Sequence, residues 1–191
     1  MTDRRDQLVA TALEVAERDG LAAATVREVA RSADVSTGVV HYCFDSKDEL
    51  LAAMAEQLVR ELRAATVVPV GGGSLEDVMV SGVRSFWRTI ERSADRQLLT
   101  YEITVTALRS DTLHDAAVRQ YEVSRQAVRD FLDAVAGATG TRWAMPVDQV
   151  AGLVLAQLDG VVLRFLVDRD ARAARRSLES FARLIAAGAV R

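Results

Sequence analysis

The sequence contains one cysteine, Cys43, one lysine, Lys47, and two prolines, Pro69 and Pro146. A single cysteine permits no internal disulfide, the usage of a chain kept in a reducing cytoplasm. Aromatic residues make up 5% of the 191 positions. Long apolar runs are also scarce. In the most apolar stretch, the runs Val150–Ala156 and Val161–Leu163 are separated by Gln157 and Asp159. Neither approaches the roughly 20 apolar residues of a membrane span. The N-terminus, MTDRRDQLVA, is charged and amphipathic, with no run of signal-peptide type. A cytoplasmic protein without a membrane partner is the expectation.

Catalytic and metal motifs are missing as well. The histidines are His41 and His114, and no Gly-x-Ser-x-Gly elbow, phosphate loop ending in Gly-Lys, or His-Glu-x-x-His stretch is present. His41 and Cys43 are too few for a closed metal site, which wants four ligands. Gly71–Ser74 reads as a loop, since no lysine follows it as in a phosphate cradle. No enzyme and no cofactor are expected. The net charge is -3, and residues 1–65 carry more acids than bases. A polyanion partner would therefore need a local basic surface.

What remains is helix. The chain is 50% hydrophobic and 27% charged, enough for a sizeable core. Ala, Leu, Val, Arg and Glu dominate, all compatible with an all-α fold. Leu8, Val9, Ala12, Leu13, Val15 and Ala16 recur at helical spacing, and Asp19-Gly20 closes that helix. Thr25-Val-Arg-Glu28 and Ser46-Lys-Asp-Glu49 read as capping boxes that open later helices. Between them, Asp34 stands where the chain turns sharply and Ser36 can cap the next helix. Val40 and Phe44 fall on its inner face, and Gly38, Val39, His41 and Tyr42 on the other. The helix from Lys47 is expected to run to about Thr66. Pro69 and Gly71–Ser74 form the clearest break. Helices are then expected over 75–93, 95–109, 111–136, 147–167 and 171–187, with a loop over Gly137–Trp143. The total is about nine helices.

Residues 25–51 thus have a helix–turn–helix arrangement, with an exposed face able to enter a major groove. An ordinary helical hairpin with a solvated face is the alternative. In order and spacing, the segment Gly20–Leu51 closely resembles the DNA-binding domain of the TetR (tetracycline-repressor-like) family. It carries Thr25-Val-Arg-Glu-Val-Ala30, Val35-Ser-Thr-Gly38, Tyr42, Phe44, Lys47 and Leu50-Leu51. The resemblance spans roughly residues 5–55. It implies an all-helical homodimer that binds double-stranded operator DNA through residues 1–46. Residues 47–191 would dimerise and bind a small-molecule effector that releases the repressor. Thr25 and Lys47 would contact phosphates, Thr37, Gly38, Val39, His41 and Tyr42 would line the groove, and Ser36 would join them among the DNA-binding residues. Val40 and Phe44 would anchor the reading helix. Asp34, where glycine is frequent, and Cys43, where an aromatic or histidine is common, depart from the pattern.

In the helix over 147–167, Gly152, Ala156 and Gly160 form a small-residue stripe among apolar side chains. The residues alone fit an internal core helix and a dimer face equally well; the resemblance implies the dimer. The interface would use Val150, Leu153, Val154, Gln157, Gly160, Val161, Arg164 and Phe165, with Phe181 and Leu184 of the last helix. Trp87, Tyr101, Glu102, Tyr121, Trp143 and Gln157 are the candidate effector contacts, being polar or aromatic groups on apolar faces. Glu102 and Asp159 read as carboxylates in apolar surroundings. A cationic ligand could neutralise them, but an arginine such as Arg109, Arg125 or Arg164 is the expected partner. Arg169, Arg172, Arg175 and Arg176 form a basic run, read as a solvated face or cross-subunit ion pairs. The rival to a DNA-binding regulator is a helical small-molecule-binding or interaction protein without specific DNA binding.

Overall fold

The computed structural model describes residues 2–65 and 73–190. Among them lie nine α-helices: α1 Thr2–Asp19, α2 Val26–Ser32, α3 Thr37–Cys43, α4 Lys47–Ala65, α5 Leu75–Arg92, α6 Ala94–Ala107, α7 His114–Thr139, α8 Val147–Asp168 and α9 Ala171–Ala187. One antiparallel pairing, Arg142–Trp143 (β1) with Ala189–Val190 (β2), is the only strand structure among these residues. The fold is all-α, as the composition requires. The expected break at Pro69 and Gly71-Gly72, and Thr66 at the end of α4, lie outside the described residues.

The chain packs as two units. The first holds Met1–Glu61 and Asp95–Gln120; the second holds Leu62–Ala94 and Tyr121–Arg191. This division differs from a functional one at residues 46 and 47, because α4 through Glu61 shares a core with α1–α3. That core gathers Leu8, Leu13, Val29, Val40, Phe44, Leu50 and Met54, with Leu99, Ile103 and Ala107 of α6 and Leu113. Arg96 of α6 ties it down, with Nε 2.8 Å from Glu17 and Nη1 2.6 Å from Glu61.

The second unit buries Val78, Met79, Leu132, Val135, Val150, Ala151 and Ala182. Trp87 meets Phe165 edge-on at 4.8 Å. Its α5 begins with a complete capping box: Asp77 N–H donates to Ser74 Oγ (3.2 Å), and Asp77 Oδ2 accepts from Ser74 N–H (3.1 Å). The two expected capping boxes are only half formed. Glu28 N–H donates to Thr25 Oγ1 and Glu49 N–H to Ser46 Oγ, but the glutamates do not reach back. The Glu28 carboxylate is held by Arg31, and Glu49 accepts from Asp45 N–H at 2.7 Å instead.

Two boundaries also differ from expectation. α7 continues through Gly137 to Thr139 and stops at Gly140, whose φ of +64° suits glycine. Leu108–Leu113 form a turn rather than helix ends, because Leu113 is buried in the first core. The α8–α9 turn places Arg169 at φ 56°, with Asp170 capping α9 through Ala173 N–H at 2.8 Å. By length and composition α8 is apolar enough to cross a membrane, which its interrupted runs did not foretell. Part of that apolarity is accounted for by its inward face, Val150, Ala151, Val161, Val162, Phe165 and Leu166, all buried.

Candidate nucleic-acid interface

The turn between α2 and α3 is built by Asp34. Its φ of 53° is the left-handed conformation that a short polar side chain tolerates. Val35 N–H then bonds back to Ala30 carbonyl at 3.0 Å and closes the corner. Ser36 begins α3, but its hydroxyl makes no capping bond; its backbone carbonyl accepts from Val39 N–H at 3.0 Å.

α3 is then fixed from behind. Val40 and Phe44 are buried, and Val39 and Cys43 pack partly against the same core. Arg5 lies 4.7 Å over the Phe44 ring and bonds Glu49 at 3.2 Å, pinning α1 to the end of α3 and the start of α4. The backbone N–H of Asp45, and secondarily Arg5, hold the Glu49 carboxyl below its ordinary range. Sequence reading missed Arg5, because its partners lie about forty positions away and no local pattern links them.

With Val40 and Phe44 turned inward, Thr37, Gly38, His41 and Tyr42 are left on the exposed face. Tyr42 is 75% exposed, unusual for an aromatic side chain and well placed to meet another molecule. A Cβ built on Gly38 would meet only Ser36 Oγ at 3.5 Å, so the fold itself does not demand glycine there. Thr25 at the start of α2 and Lys47 at the start of α4 are exposed at its margins. Among the described residues neither Lys47 nor the exposed Arg27 of α2 takes part in an ion pair, so both remain available to phosphate.

The candidate effector residues are not brought into one site within a unit. Tyr101 and Glu102 lie on α6 of the first unit, and the other four belong to the second. Trp87 is buried, Trp143 donates its indole N–H to the Leu132 carbonyl at 3.3 Å, and Gln157 lines a separate α8–α9 cleft with Arg164 and Ser177. Glu102 is exposed rather than set in apolar surroundings. Asp159 accepts a hydrogen bond from the Tyr121 hydroxyl. Of the arginines expected beside it, Arg125 bonds Glu122 and Arg164 bonds Asp168.

The expected interface residues divide by face. Val150, Val161 and Phe165 are buried within the chain, because their helical phase turns them toward its own core. Leu153, Gly160, Arg164 and Leu184 are exposed, and Val154, Gln157 and Phe181 are half-buried. A Cβ at Gly152 or Gly160 would meet nothing within 4 Å, so the small-residue stripe serves no close approach inside the chain.

A short helix anchored on one side, presenting Thr37, Gly38, His41 and Tyr42 on the other and joined to a separate helical unit, defines a helix–turn–helix DNA-binding protein. Residues 8–54 match the family model described as bacterial regulatory proteins, tetR family. The nicotine-responsive transcriptional repressor HdnoR of Paenarthrobacter nicotinovorans is 31% identical over 169 residues, 87% of this chain and 85% of the relative. The chain belongs to the TetR family of DNA-binding transcriptional regulators. Among solved structures, a transcriptional regulator from Rhodococcus sp. Rha1 superposes with a TM-score of 0.74 at 25% identity, covering 97% of both chains. The multidrug binding protein EbrR complexed with imidazole superposes with a TM-score of 0.69 at 26% identity, covering 95% of this chain and 94% of its own.

Proposed function

We propose that the protein is a homodimeric repressor that leaves an inverted-repeat operator when a small molecule binds. The observation that carries this reading is the pairing of an anchored face, Val40 and Phe44, with an exposed reading face, Thr37, Gly38, His41 and Tyr42, on α3. Gly38 and Val39 come close to base edges, His41 and Tyr42 reach bases or phosphates, and Lys47 and Thr25 hold the flanking backbone. Dimerisation uses the outward face of α8 and α9, where Leu153, Leu163, Val167 and Leu184 are each at least half exposed. The two reading helices then sit one DNA turn apart, roughly 34 Å.

The effector binds in the segment from 47 to 191 and favours a dimer whose reading heads no longer match that spacing, a population shift. The relative's designation as nicotine-responsive, and the imidazole held by the multidrug binding protein, support a small-molecule effector. The protein performs no catalysis and acts in the cytoplasm. Selection of bound sequences from random duplex DNA tests the reading, and an enriched inverted repeat is expected. No enrichment by folded, dimeric, effector-free protein would instead favour a helical small-molecule-binding protein without an operator.

A further inference from the structure

Of the arginines that open α9, Arg175 does more than face solvent. Arg175, with Glu179 one turn on, closes one wall of a cleft of about 320 Å³ whose other wall is α5, with Arg84, Trp87, Arg88 and Glu91. Within its lining, Glu179 faces three guanidinium groups, of which Arg183 has a nearer carboxylate in Glu76 at 3.2 Å. Arg84 Nε lies 2.8 Å away, Arg183 Nη2 3.7 Å and Arg175 Nε 4.0 Å, and the Glu179 side chain is only 15% exposed. One carboxylate cannot satisfy three such forks, each of which offers five N–H donors. Arg84 holds the optimal bond, and Arg175 stands at the limit of contact. Arg88 is exposed and, among the described residues, makes no hydrogen bond or ion pair.

We propose that this α5–α9 cleft binds a small dianion bearing phosphate or carboxylate groups, held by Arg88 and Arg175 against the wall formed by Trp87. Guanidinium forks match both anions bidentately. Arg175 gives up little to engage one, because an exposed pair at 4.0 Å contributes little. Glu91, three residues from Arg88 on α5, opposes an anion, and Arg88 and Arg175 together outweigh its charge. Trp87 itself is buried and packs edge-on against Phe165. The volume is at the lower end for small-molecule sites, which limits the ligand to a compact metabolite or an inorganic anion. A chain of net charge -3 does not collect dianions on general electrostatics, so binding here has to be local. The inference concerns a site apart from α3 and does not rest on the operator reading.

Titration calorimetry of the full chain at mildly alkaline pH with inorganic phosphate in one arm and succinate in another, both dianions there, at ionic strength held constant with sodium chloride, tests it. Saturable binding of one anion per chain is expected in at least one arm, and the stronger arm separates phosphate from carboxylate recognition. R88Q and R175Q should each weaken it by about tenfold or more, the loss of a charge-assisted contact. R119Q, at an exposed arginine of α7 in the first unit, should leave it unchanged. A response that does not saturate in either arm would reduce the cleft to a screened ion-pair network. Undiminished binding by folded R88Q, or loss of binding in R119Q, would place the anion elsewhere and overturn the assignment.

Discussion

Thr112 donates its hydroxyl hydrogen to the Asp48 carboxylate across 64 positions of sequence. Ser110 joins the same oxygen at 3.2 Å. The turn between α6 and α7 is thereby fastened to the first turn of α4, one residue from Lys47. Thr112 is exposed, so the bond should contribute only about 1 kcal/mol. T112V should lower the urea unfolding free energy by that amount, while the same change in a D48A background should cost almost nothing. An equal loss in both backgrounds would mean that Thr112 acts through something other than Asp48.

Lys47 is the one lysine in the sequence, and it stands exposed at the start of α4. A phosphate contact there releases condensed counterions from DNA. K47A should therefore weaken binding to any duplex and reduce the slope of log affinity against log salt by about one unit. Binding isotherms between 50 and 200 mM salt, about a thousandfold span in affinity for strongly charged readers, make the change measurable. An unchanged slope would remove Lys47 from the interface.

Gly38 separates reading from folding. Its virtual Cβ meets only Ser36 Oγ at 3.5 Å, ordinary contact, and glycine inside a helix costs about 0.5–1 kcal/mol relative to alanine. G38A should hold or raise the melting temperature and yet weaken operator binding, because the added methyl stands where the groove must approach. If G38A binds as tightly as the parent, α3 does not approach DNA at that residue.

Gly82 shows the opposite case. A Cβ there would lie 2.5 Å from Phe131 Cζ and 2.9 Å from Cε2, so α5 and the Phe131 ring of α7 leave no room for it. G82A should destabilise the chain by about 1–3 kcal/mol through overpacking, even after alanine's gain in helix propensity. F131L should recover part of that loss in a double-mutant cycle. Additive losses would mean that the clash is relieved some other way.

The contrast between these glycines marks what a linear reading can reach. The reading head was legible because its determinants are local. Asp34 supplies the left-handed turn, Val40 and Phe44 keep helical phase, and Gly20 closes α1 through Ala16. The complete capping box at Ser74 and Asp77 was equally local and could have been read from the same spacing rule. What escaped depends on partners far away in sequence. Arg5 finds Glu49, Asp48 finds Thr112, and Glu179 finds Arg84, at separations that no periodicity encodes. The same limit hid that Val150, Val161 and Phe165 are buried within the chain itself. An apolar helix reports that it has buried faces, but only its packing against α9 and Trp87 decides which face is already used.

Tyr121 offers a test of the second unit that needs neither DNA nor effector. Its hydroxyl donates to Asp159, and burial first, with the neighbouring carboxylate adding to it, pushes the phenol up to about 12. An unfolded tyrosine ionises near 10. Below that pH the phenol is neutral in both states, and its contribution to folding does not vary. Between roughly 10 and 12 the unfolded chain releases the proton while the folded chain retains it, so stability falls as pH rises through that window. Y121F has no proton to release and should show a flatter decline in unfolding free energy across it. The absorbance titration at the tyrosinate band should show the same group directly. Of the three tyrosines, Tyr121 should ionise above its ordinary range, and that late phase should vanish in Y121F. An alkaline stability profile unchanged by the substitution, or a late phase that survives it, would mean that Tyr121 is not held by Asp159 in solution.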